Sequence, residues 1–268
     1  MKILVVITTA FTSTGGLTTV MMNYYRAMNK EGLKIDFAST NVPSQSLLDE
    51  IHVEGSEYYQ LPPRKKIVSY FYRLRRLCKN YDLLHVHGNS STSVLELMAA
   101  NWAGVKRRIV HNHTSRSQHP WINLLLHPFF LMSYTKAIAC SDAAGEWLFG
   151  NKQYQILRNA IKVSCFHYDV SVRQQIRQLL GISDSTFLVG HVGKFMDAKN
   201  HPFVIAVFAE IHRLIPNSKL LLVGDGPLRG MVETAVKNLH VEDCVILVGL
   251  RSDIPQLLQS FDAVSYTH

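Results

Sequence analysis

Short apolar runs alternate along this chain with longer segments whose apolar residues recur every three or four positions. The run at 186–192 has the length of a buried strand, whereas Phe203, Val204, Val207 and Phe208 share one face of a helix that begins near Pro202. The same reasoning predicts strands at 2–8, 35–39, 83–86, 108–111, 136–140, 186–192, 219–223, 245–248 and 262–265. It predicts helices at 16–30, 44–54, 66–79, 92–103, 121–134, 142–149, 172–180, from 202 onward and at 228–239.

The order of these elements predicts the fold class. Strands that alternate with helices indicate an α/β protein whose parallel sheets are covered on both faces. We predict two Rossmann-like, doubly wound domains, at 1–160 and 174–268, joined by a polar linker at 161–173. The second is expected to be incomplete, because the chain stops on what resembles a central strand. Ligands of such folds bind beyond the carboxyl ends of strands, so a small-molecule site is expected in a cleft between the domains.

Composition narrows the class of partner. With 268 residues, of which 47% are hydrophobic and 18% charged, the chain is globular and not disordered. Its net charge of +8 and pI near 9.3 favour a polyanionic partner: nucleotide phosphates, anionic lipid or nucleic acid. The sequence has no RNP-like, helix-turn-helix or zinc-finger pattern, so nucleic acid is not expected.

Two apolar stretches bear on cellular location. Residues 1–7 are too short for a signal peptide and have no cleavage site, so they are interpreted as a strand. Residues 121–132 fall short of the roughly 20 needed to span a bilayer. The four cysteines show no ligand-like spacing, as is usual in a reducing compartment. We therefore expect a cytoplasmic protein that is soluble or peripheral at the inner face of the membrane.

A glycine-led loop after the strand at 186–192 is the first candidate for a ligand site. Gly193 lets the backbone approach a ligand, and Lys194 and Lys199 place two cations near free N–H groups at a helix start. This arrangement outlines a diphosphate-binding site. Two solvated lysines on a surface loop remain the alternative.

Two further glycine loops follow strands. Gly15 and Gly16 precede a helix, where they would either admit an anion or only turn the chain. Gly224 begins a Gly-Asp-Gly-Pro loop whose spacing departs from the G-x-G-x-x-G dinucleotide fingerprint, so redox chemistry is not predicted. Arg251, after the next strand, could contact a base or a phosphate.

Four histidines occupy the ends of two predicted strands, His85 and His87 on one and His111 and His113 on the next. Imidazoles can bind a metal, but no carboxylate accompanies them, and no metal site is assigned. A histidine that orients or polarises a hydroxyl is favoured, and His113 in particular, because it opens a polar Thr-Ser-Arg loop. A purely structural histidine is the alternative.

Basic and aromatic residues interleave over 64–79. A basic amphipathic helix can rest on anionic lipid headgroups, which makes this segment a possible membrane contact. A solvated helix face whose apolar side packs on the sheet explains the pattern equally well.

Three blocks taken together resemble a known family. The blocks GKFMDAKNH (193–201), LLVGDGPL (221–228) and VGLRSDI (248–254) resemble the donor domain of retaining GT-B glycosyltransferases, most of all family 4 enzymes of capsule, exopolysaccharide and lipopolysaccharide assembly. The Gly15-Gly16 loop and HNHTS (111–115) are similar to the acceptor half of that family. The resemblance implies a GT-B fold and the transfer of a sugar, with retention, from a nucleotide-sugar to a lipid-linked or saccharide acceptor.

The resemblance also implies roles for individual residues. Lys194 and Lys199 hold the donor diphosphate together with Gly193, and Gly16 approaches it. His113 lies near the transferred sugar. The remaining implied contacts are Gly224 and Arg251 at the nucleotide, and Gly15, His87, Thr114 and Ser115 on the acceptor side. The family pattern implies no metal and no cofactor, because lysine charge and a helix terminus stabilise the leaving diphosphate.

The sequence departs from the family after residue 266. A Pro-Ser and Glu-Gly segment with two donor-contacting glutamates is expected there, and the chain ends first. We therefore expect a truncated enzyme with weak or no turnover. Two alternatives stay open: an inactive relative that only binds a nucleotide or a partner, and a nucleotide-sugar epimerase of GT-B-like fold. The donor sugar, base, acceptor and linkage do not follow from the sequence.

Overall fold

The structure, a computed structural model, describes residues 1–13, 15–117 and 119–266. Its internal contacts divide the chain into two compact units, Met1–Ile161 (unit 1) and Lys162–His268 (unit 2). Each unit is a parallel sheet with helices on both faces, which confirms the predicted α/β class. Thr14 of the first glycine loop and the chain end at 267–268 lie outside the described residues.

Unit 1 contains seven described strands, all paired in parallel. They are Lys2–Ile7 (β1), Lys34–Ser39 (β2), Tyr58–Gln60 (β3), Leu83–Gly88 (β4), Arg107–Asn112 (β5), Lys136–Ala139 (β6) and Gln155–Ile156 (β7). Its helices are Gly16–Ala27 (α1), Gln45–Val53 (α2), Ile67–Cys78 (α3), Val94–Trp102 (α4), Pro120–Leu131 (α5) and Asp142–Phe149 (α6). The strand order is β3-β2-β1-β4-β5-β6-β7, so the direction of winding reverses between β1 and β4. Ligands of open α/β sheets bind at such a switch point.

The side chains of unit 1 divide by strand alternation into two cores. Leu4, Val6, Leu84 and Val86 pack with α3, α4, α5 and α6 on one face of the sheet. Val5 and Ile7 pack with α1 and α2 on the opposite face. The two faces therefore differ in which helices cover them, and residues next to Leu84 and Val86 on β4 point to the α1 side.

Unit 2 contains four described strands in the order β10-β9-β8-β11. They are Phe187–Val192 (β8), Ser218–Val223 (β9), Val245–Gly249 (β10) and Ala263–Val264 (β11). Its helices are Val170–Leu179 (α7), His201–Leu214 (α8), Arg229–Asn238 (α9) and Ile254–Gln259 (α10). Phe195, Val204 and Phe208 build the core on one face of this sheet, and Ile176 and Leu257 contribute to the core on the other.

Arg177 of α7 is fully buried, which is unusual for an arginine. Its guanidinium donates to the carbonyl oxygens of Ser260 and Ser183 at 2.7 and 2.9 Å, and it forms an ion pair with Asp262 at 3.2 Å. Asp262 in turn accepts from the amide of Leu188 at 2.7 Å. This network ties α7 to the start of β8 and to the residues before β11.

Two sequence predictions need correction. The predicted linker 161–173 is too long, because Asp169 caps α7 by accepting from the amide of Ser171 at 2.8 Å, and the helix begins at Val170. The strand β3 is not predicted, since three residues are too few to display an alternation. The strand β11 pairs with β8 at one end of the described sheet of unit 2, and its central position in a complete domain stays a prediction. None of the described helices combines the length and the apolar character needed to cross a bilayer.

Candidate functional site

The loop after β8 is fastened to the loop after β9 by backbone hydrogen bonds. The amide of Gly193 donates to Val223 O at 2.9 Å, and that of Phe195 donates to Asp225 O at 3.0 Å. Phe195 is fully buried in the core of unit 2 and accepts from the amide of Leu228 at 3.2 Å. The predicted diphosphate loop therefore has a fixed backbone next to its exposed lysine.

Close backbone approach explains two of the glycines at this place. Gly224 has φ of +142°, and a Cβ added there would lie 2.0 Å from Gly193 O. A Cβ at Gly226 would lie 2.4 Å from Phe195 O. Contacts of this length are impossible, so these positions need glycine to let the two loops meet. The packing of the two loops is thus sufficient to explain the glycine at position 224, which the sequence analysis assigned to nucleotide binding.

The two predicted phosphate-binding lysines differ in their surroundings. Lys194 is exposed and forms no ion pair with a described residue, whereas Lys199 is partly buried. The side chain of Lys199 passes close to Gly193, because a Cβ added to that glycine would lie 3.5 Å from Lys199 Cγ. Both lysines thus belong to one loop, with Gly193 beside the side chain of Lys199.

The start of α8 offers fewer amide donors than the sequence predicted. Pro202 has no N–H, and the amides of Phe203 and Val204 both donate to Asn200 O. Asn200 adopts a left-handed conformation with φ of 44°. The first turn of α8 would therefore attract an anion mainly through the helix dipole. The side-chain cations of the loop supply most of the positive charge.

Two buried histidines beside this loop were missed by the sequence prediction. His191 and His201 are each almost fully buried, with ring centroids 4.8 Å apart. His191 Nδ1 lies 2.7 Å from Ser265 O and must donate to it, while Nε2 of each ring has no partner among the described residues. Burial lowers the pKa of His201 to about 4, helped by His191 and Lys199. The available signal was a polar residue at the end of a buried strand.

Arg251 is already paired, which changes the prediction for it. Its guanidinium donates to Asp253 through Nε at 2.8 Å and Nη2 at 2.6 Å, and this two-point contact raises its pKa. Arg229 likewise forms ion pairs with Asp225 at 3.4 Å and with Glu233 at 2.8 Å. A base or phosphate would therefore have to share or replace the Asp253 contact to reach Arg251.

The first glycine loop leads from β1 into α1. Gly15 is the N-cap residue and provides no side-chain cap; its amide donates to Thr12 O at 3.0 Å. A Cβ added at Gly15 would meet Thr12 Oγ1 at 3.1 Å, whereas a Cβ at Gly16 would have no described neighbour within 4 Å. Packing within the described chain therefore explains Gly15 in part but does not explain Gly16.

The four strand-end histidines converge, as their register predicts. His85 and His87 lie two residues apart on β4, and His87 is paired with His111 on β5. Ring centroids are 4.3 Å apart for His85 and His87 and 4.1 Å apart for His111 and His113. His87 Nδ1 lies 2.9 Å from His113 Nε2, so one of these nitrogens donates to the other.

These rings are neutral at physiological pH. Burial lowers the pKa of His113 to about 4. Burial, together with the neighbouring imidazoles, lowers the pKa of His85 to about 4 and that of His111 to about 2, and holds that of His87 well below its ordinary value. A neutral imidazole can donate one hydrogen bond and accept another, which suits it to polarise a hydroxyl.

Asn112 positions the loop that carries the other predicted acceptor-side residues. It is fully buried, and its Nδ2 donates to Thr114 O and Ala144 O, both at 2.7 Å. Thr114 is partly buried and Ser115 is exposed. The sequence singled out the neighbours of Asn112 and missed the residue that holds them in place.

The basic segment 64–79 is less exposed than the sequence predicted. Arg64 donates to Glu96 at 3.1 Å and Tyr70 donates to the same buried carboxylate at 2.7 Å, so Arg64 faces the core and not a lipid. Arg75 donates to Trp102 O at 3.2 Å. Arg73, Arg76 and Lys79 remain exposed on α3.

A larger apolar surface lies on α5, which contains no charged residue. The exposed large side chains on and next to this helix are Trp121, Ile122, Leu124, Leu125, Phe129 and Met132. So many exposed apolar side chains on one short helix make it a candidate interaction surface.

Comparison with known proteins identifies the family. Residues 14–162 match Glycosyltransferase Family 4, and residues 172–267 match Glycosyl transferases group 1. The chain is 27% identical over 271 residues to the N-acetyl-alpha-D-glucosaminyl L-malate synthase of Bacillus anthracis, covering 95% of this chain and 70% of that one. It is 25% identical over 214 residues to the UDP-Gal:alpha-D-GlcNAc-diphosphoundecaprenol alpha-1,3-galactosyltransferase of Escherichia coli, covering 74% of this chain and 54% of the relative.

The crystal structure of Anabaena Alr3699/HepE in complex with UDP and glucose has a similar fold. Its TM-score to this chain is 0.83 at 20% identity, and the match covers 100% of this chain and 74% of that one. The first family match spans more than half of the chain, and both sheets agree with the GT-B architecture. The chain therefore belongs to glycosyltransferase family 4, and it is a glycosyltransferase of GT-B fold.

Proposed function

We propose that the protein transfers a hexosyl group, with retention of configuration, from a nucleoside-diphosphate sugar to a lipid-linked or saccharide hydroxyl in cell-surface polysaccharide assembly. The observation that carries the proposal is the loop with Lys194 and Lys199 around Gly193, on a chain of family 4. Such a loop presents two cations on a backbone that is held by Phe195.

The donor diphosphate would bind at this loop through lysine charge without a bound metal ion. As the sugar leaves, negative charge grows on the β-phosphate, and fixed cations stabilise it more than the ground state. Lys194 is exposed to solvent, and the side chain of Lys199 lies along Gly193. Both lysines belong to the same loop, so both can contact the oxygens of one diphosphate. The nucleotide would lie near Gly224, with Arg251 available if Asp253 shares its guanidinium.

UDP is the nucleotide to test first. The name of the E. coli relative gives UDP-Gal as its donor, and the Anabaena structure contains UDP and glucose. Nothing among the described contacts distinguishes uracil from another base, so the nucleotide assignment rests on these relatives.

The sugar and the acceptor would be handled by unit 1. If His87 donates from Nδ1, the Nδ1–H of His113 stays available to donate to a hydroxyl of the transferred sugar. Gly16 would leave room for the donor phosphate, since no described neighbour explains the absence of its side chain. Gly15, Thr114 and Ser115 would border the acceptor.

We propose a lipid-linked acceptor, and with it a peripheral position of the protein at the cytoplasmic face of a membrane. The exposed apolar side chains of α5 provide an insertion surface, and Arg73, Arg76 and Lys79 of α3 provide positive charge for anionic headgroups. The E. coli relative is named for a diphosphoundecaprenol acceptor, which supports a polyprenyl diphosphate carrier as the first acceptor class to test.

The test is a turnover assay with the purified chain, a panel of UDP-sugars, and either polyprenyl-diphosphate-linked or free saccharide acceptors, with and without Mg²⁺. We expect acceptor-dependent release of UDP, unchanged by Mg²⁺, and a product whose anomeric configuration by NMR matches that of the donor. Binding of UDP in calorimetry without any transfer would instead indicate the inactive relative. Release of UDP with an epimerised sugar in the absence of acceptor would indicate the epimerase, and absence of UDP binding would refute the donor site.

A further inference from the structure

We infer that His85, His87 and His111 form a binding site for a divalent transition metal ion, with Zn²⁺ as the best-matched ion. One ligand nitrogen from each ring can be chosen so that all three lie within 4.8 Å of one another. Nitrogens bound to one zinc ion lie about 2.0–2.1 Å from it and so about 3.3 Å from one another, which means that the rings must move together by about 1 Å when an ion binds. All three ligand residues belong to unit 1.

The strand register explains why these three rings meet. Val5 of β1 is paired with His85 and Ile7 with His87, while His87 is paired with His111. All three imidazoles therefore point to the face of the sheet that Val5 and Ile7 share with α1. Because they are supplied by two adjacent central strands, their Cα positions are fixed by backbone hydrogen bonds before any ion binds.

Unsatisfied ring nitrogens are the second observation. His85 Nε2 and both ring nitrogens of His111 are buried and have no hydrogen-bond partner within the described part of the chain. A buried polar atom without a partner costs roughly 1–3 kcal/mol, so such atoms usually indicate a bound water or ion. His85 and His111 therefore each have at least one ring nitrogen that no described residue satisfies and that could bind an ion through its lone pair.

The contact between His87 and His113 completes the arrangement. Metal-binding histidines usually donate their other ring N–H to an acceptor that fixes the tautomer. His87 Nδ1 lies 2.9 Å from His113 Nε2, which can accept and so leave His87 Nε2 for the ion. His113 then acts as the orienting residue and is not itself a ligand.

The ligand set determines the class of metal. All ligands are imidazoles and none is a carboxylate, so Mg²⁺ and Ca²⁺, which prefer oxygen, do not match. Three imidazoles match Zn²⁺ with a fourth position left for water.

The first experiment uses the purified chain without a histidine tag. Zn²⁺ affinity is measured by competition with a chromophoric chelator, and Co²⁺ is titrated as a spectroscopic substitute. We expect one ion per chain, the intense visible bands of four-coordinate Co²⁺, and a rise in unfolding temperature with Zn²⁺. His85→Ala and His111→Ala should each weaken binding about 100-fold, whereas His52→Ala, which removes an exposed imidazole from α2, should leave it unchanged.

X-ray absorption of the Zn²⁺-loaded, unmodified chain provides a readout that does not depend on the variants. Three imidazole nitrogens and one oxygen at about 2.0–2.1 Å are expected. A shell dominated by oxygen or sulfur would overturn the proposal even if a variant failed to fold. Affinity that is unchanged in folded His85→Ala and His111→Ala, or the absence of stoichiometric binding, would overturn it as well.

Discussion

The two units differ in the polar groups at the carboxyl ends of their strands. Those of unit 1 are largely buried and neutral, whereas Lys194 of unit 2 is exposed and charged. Unit 1 places four neutral, largely buried histidines on β4 and on or directly after β5, and packing within the described chain does not explain its glycine at position 16. Unit 2 places Lys194 on an exposed loop that packs against a second loop, whose glycines at 224 and 226 are required by that packing. The same layered architecture therefore supports two kinds of recognition.

The difference follows from the chemistry that each end can perform. Cations exposed at a loop attract a polyanion from solution and tolerate its departure, because water solvates them in both states. The neutral imidazole of His113 makes a poor partner for a polyanion and suits an oriented hydrogen bond to a hydroxyl group. If the proposed function is right, unit 2 determines donor affinity and unit 1 determines the rate of transfer.

The largest expected effect tests this division directly. His113→Gln should lower kcat by about 10²–10³-fold, the scale for losing one fixed hydrogen-bond donor from an active site, because the flexible amide does not hold an N–H where the imidazole Nδ1–H lies. UDP affinity should stay unchanged in calorimetry. His52→Gln on α2 is the control and should leave both quantities unchanged. A matching loss of UDP affinity in His113→Gln would mean that donor affinity and the rate of transfer are not determined by separate units.

Alanine at the two glycines sharpens the comparison through stability. Gly224→Ala should lower the free energy of unfolding by about 3 kcal/mol, because its φ of +142° and the nearby Gly193 O leave no room for a Cβ. Gly16→Ala should change stability by less than about 1 kcal/mol, since the space around it is open and alanine favours a helix.

Urea unfolding of both variants measures the difference. Gly16→Ala should nevertheless lower kcat/KM if that space receives the donor phosphate. Full activity in a stable Gly16→Ala variant would remove Gly16 from the proposed site.

The lysine loop carries the next effect. Lys199→Ala and Lys194→Ala should each weaken UDP binding by about 1.5–3 kcal/mol, the scale for hydrogen bonds to charged groups. Calorimetry at two salt concentrations should show a larger loss at low salt, because part of the attraction is screened. Lys237→Ala, which removes an exposed lysine from α9, is the matched control. Unchanged affinity in both loop variants would argue against the diphosphate assignment.

The smallest effect concerns pH and unit 2 alone. Burial raises the pKa of Asp262, but the amide of Leu188 and the guanidiniums of Arg173 and Arg177 outweigh it, so the pKa lies below its ordinary value. Because the carboxylate is more acidic in the folded state, its contribution to stability is complete above about pH 4. It is lost as the pH falls further, through the lower folded-state pKa.

Urea unfolding between pH 7 and pH 3 should therefore show a steeper acid loss in the unmodified chain than in Asp262→Asn. Parallel pH profiles for the two proteins would contradict this account of the Asp262 network.

The sequence predicted the elements better than the partners of its charged residues. The alternation of apolar runs was enough to predict most strands and helices, since it depends on local periodicity. The convergence of His87 and His111 was also predictable, because the ends of adjacent parallel strands meet. β3, a three-residue strand, was too short to show a pattern.

Charged residues defeated prediction where their partner lies far along the chain. Arg64 belongs to a basic run that suggests a solvated face, yet it pairs with the buried Glu96, 32 positions later. Arg177 looks like a surface residue of an amphipathic helix, and only the loops around Ser183 and Ser260 reveal that it is buried. Local composition contains no information about such partners, so burial of an arginine becomes visible only in the folded chain.

The backbone contacts around Phe195 have a consequence for how the donor loop can vary. Since Phe195 exchanges hydrogen bonds with the loop after β9 at both its amide and its carbonyl, the main chain around Lys194 is ordered by folding and not by a ligand. The entropy of arranging that segment is already lost before binding. The side chain at 194 can therefore be exchanged for another cation while the backbone of the loop keeps its conformation. Affinity for the donor can thus change at this position without a change in the fold.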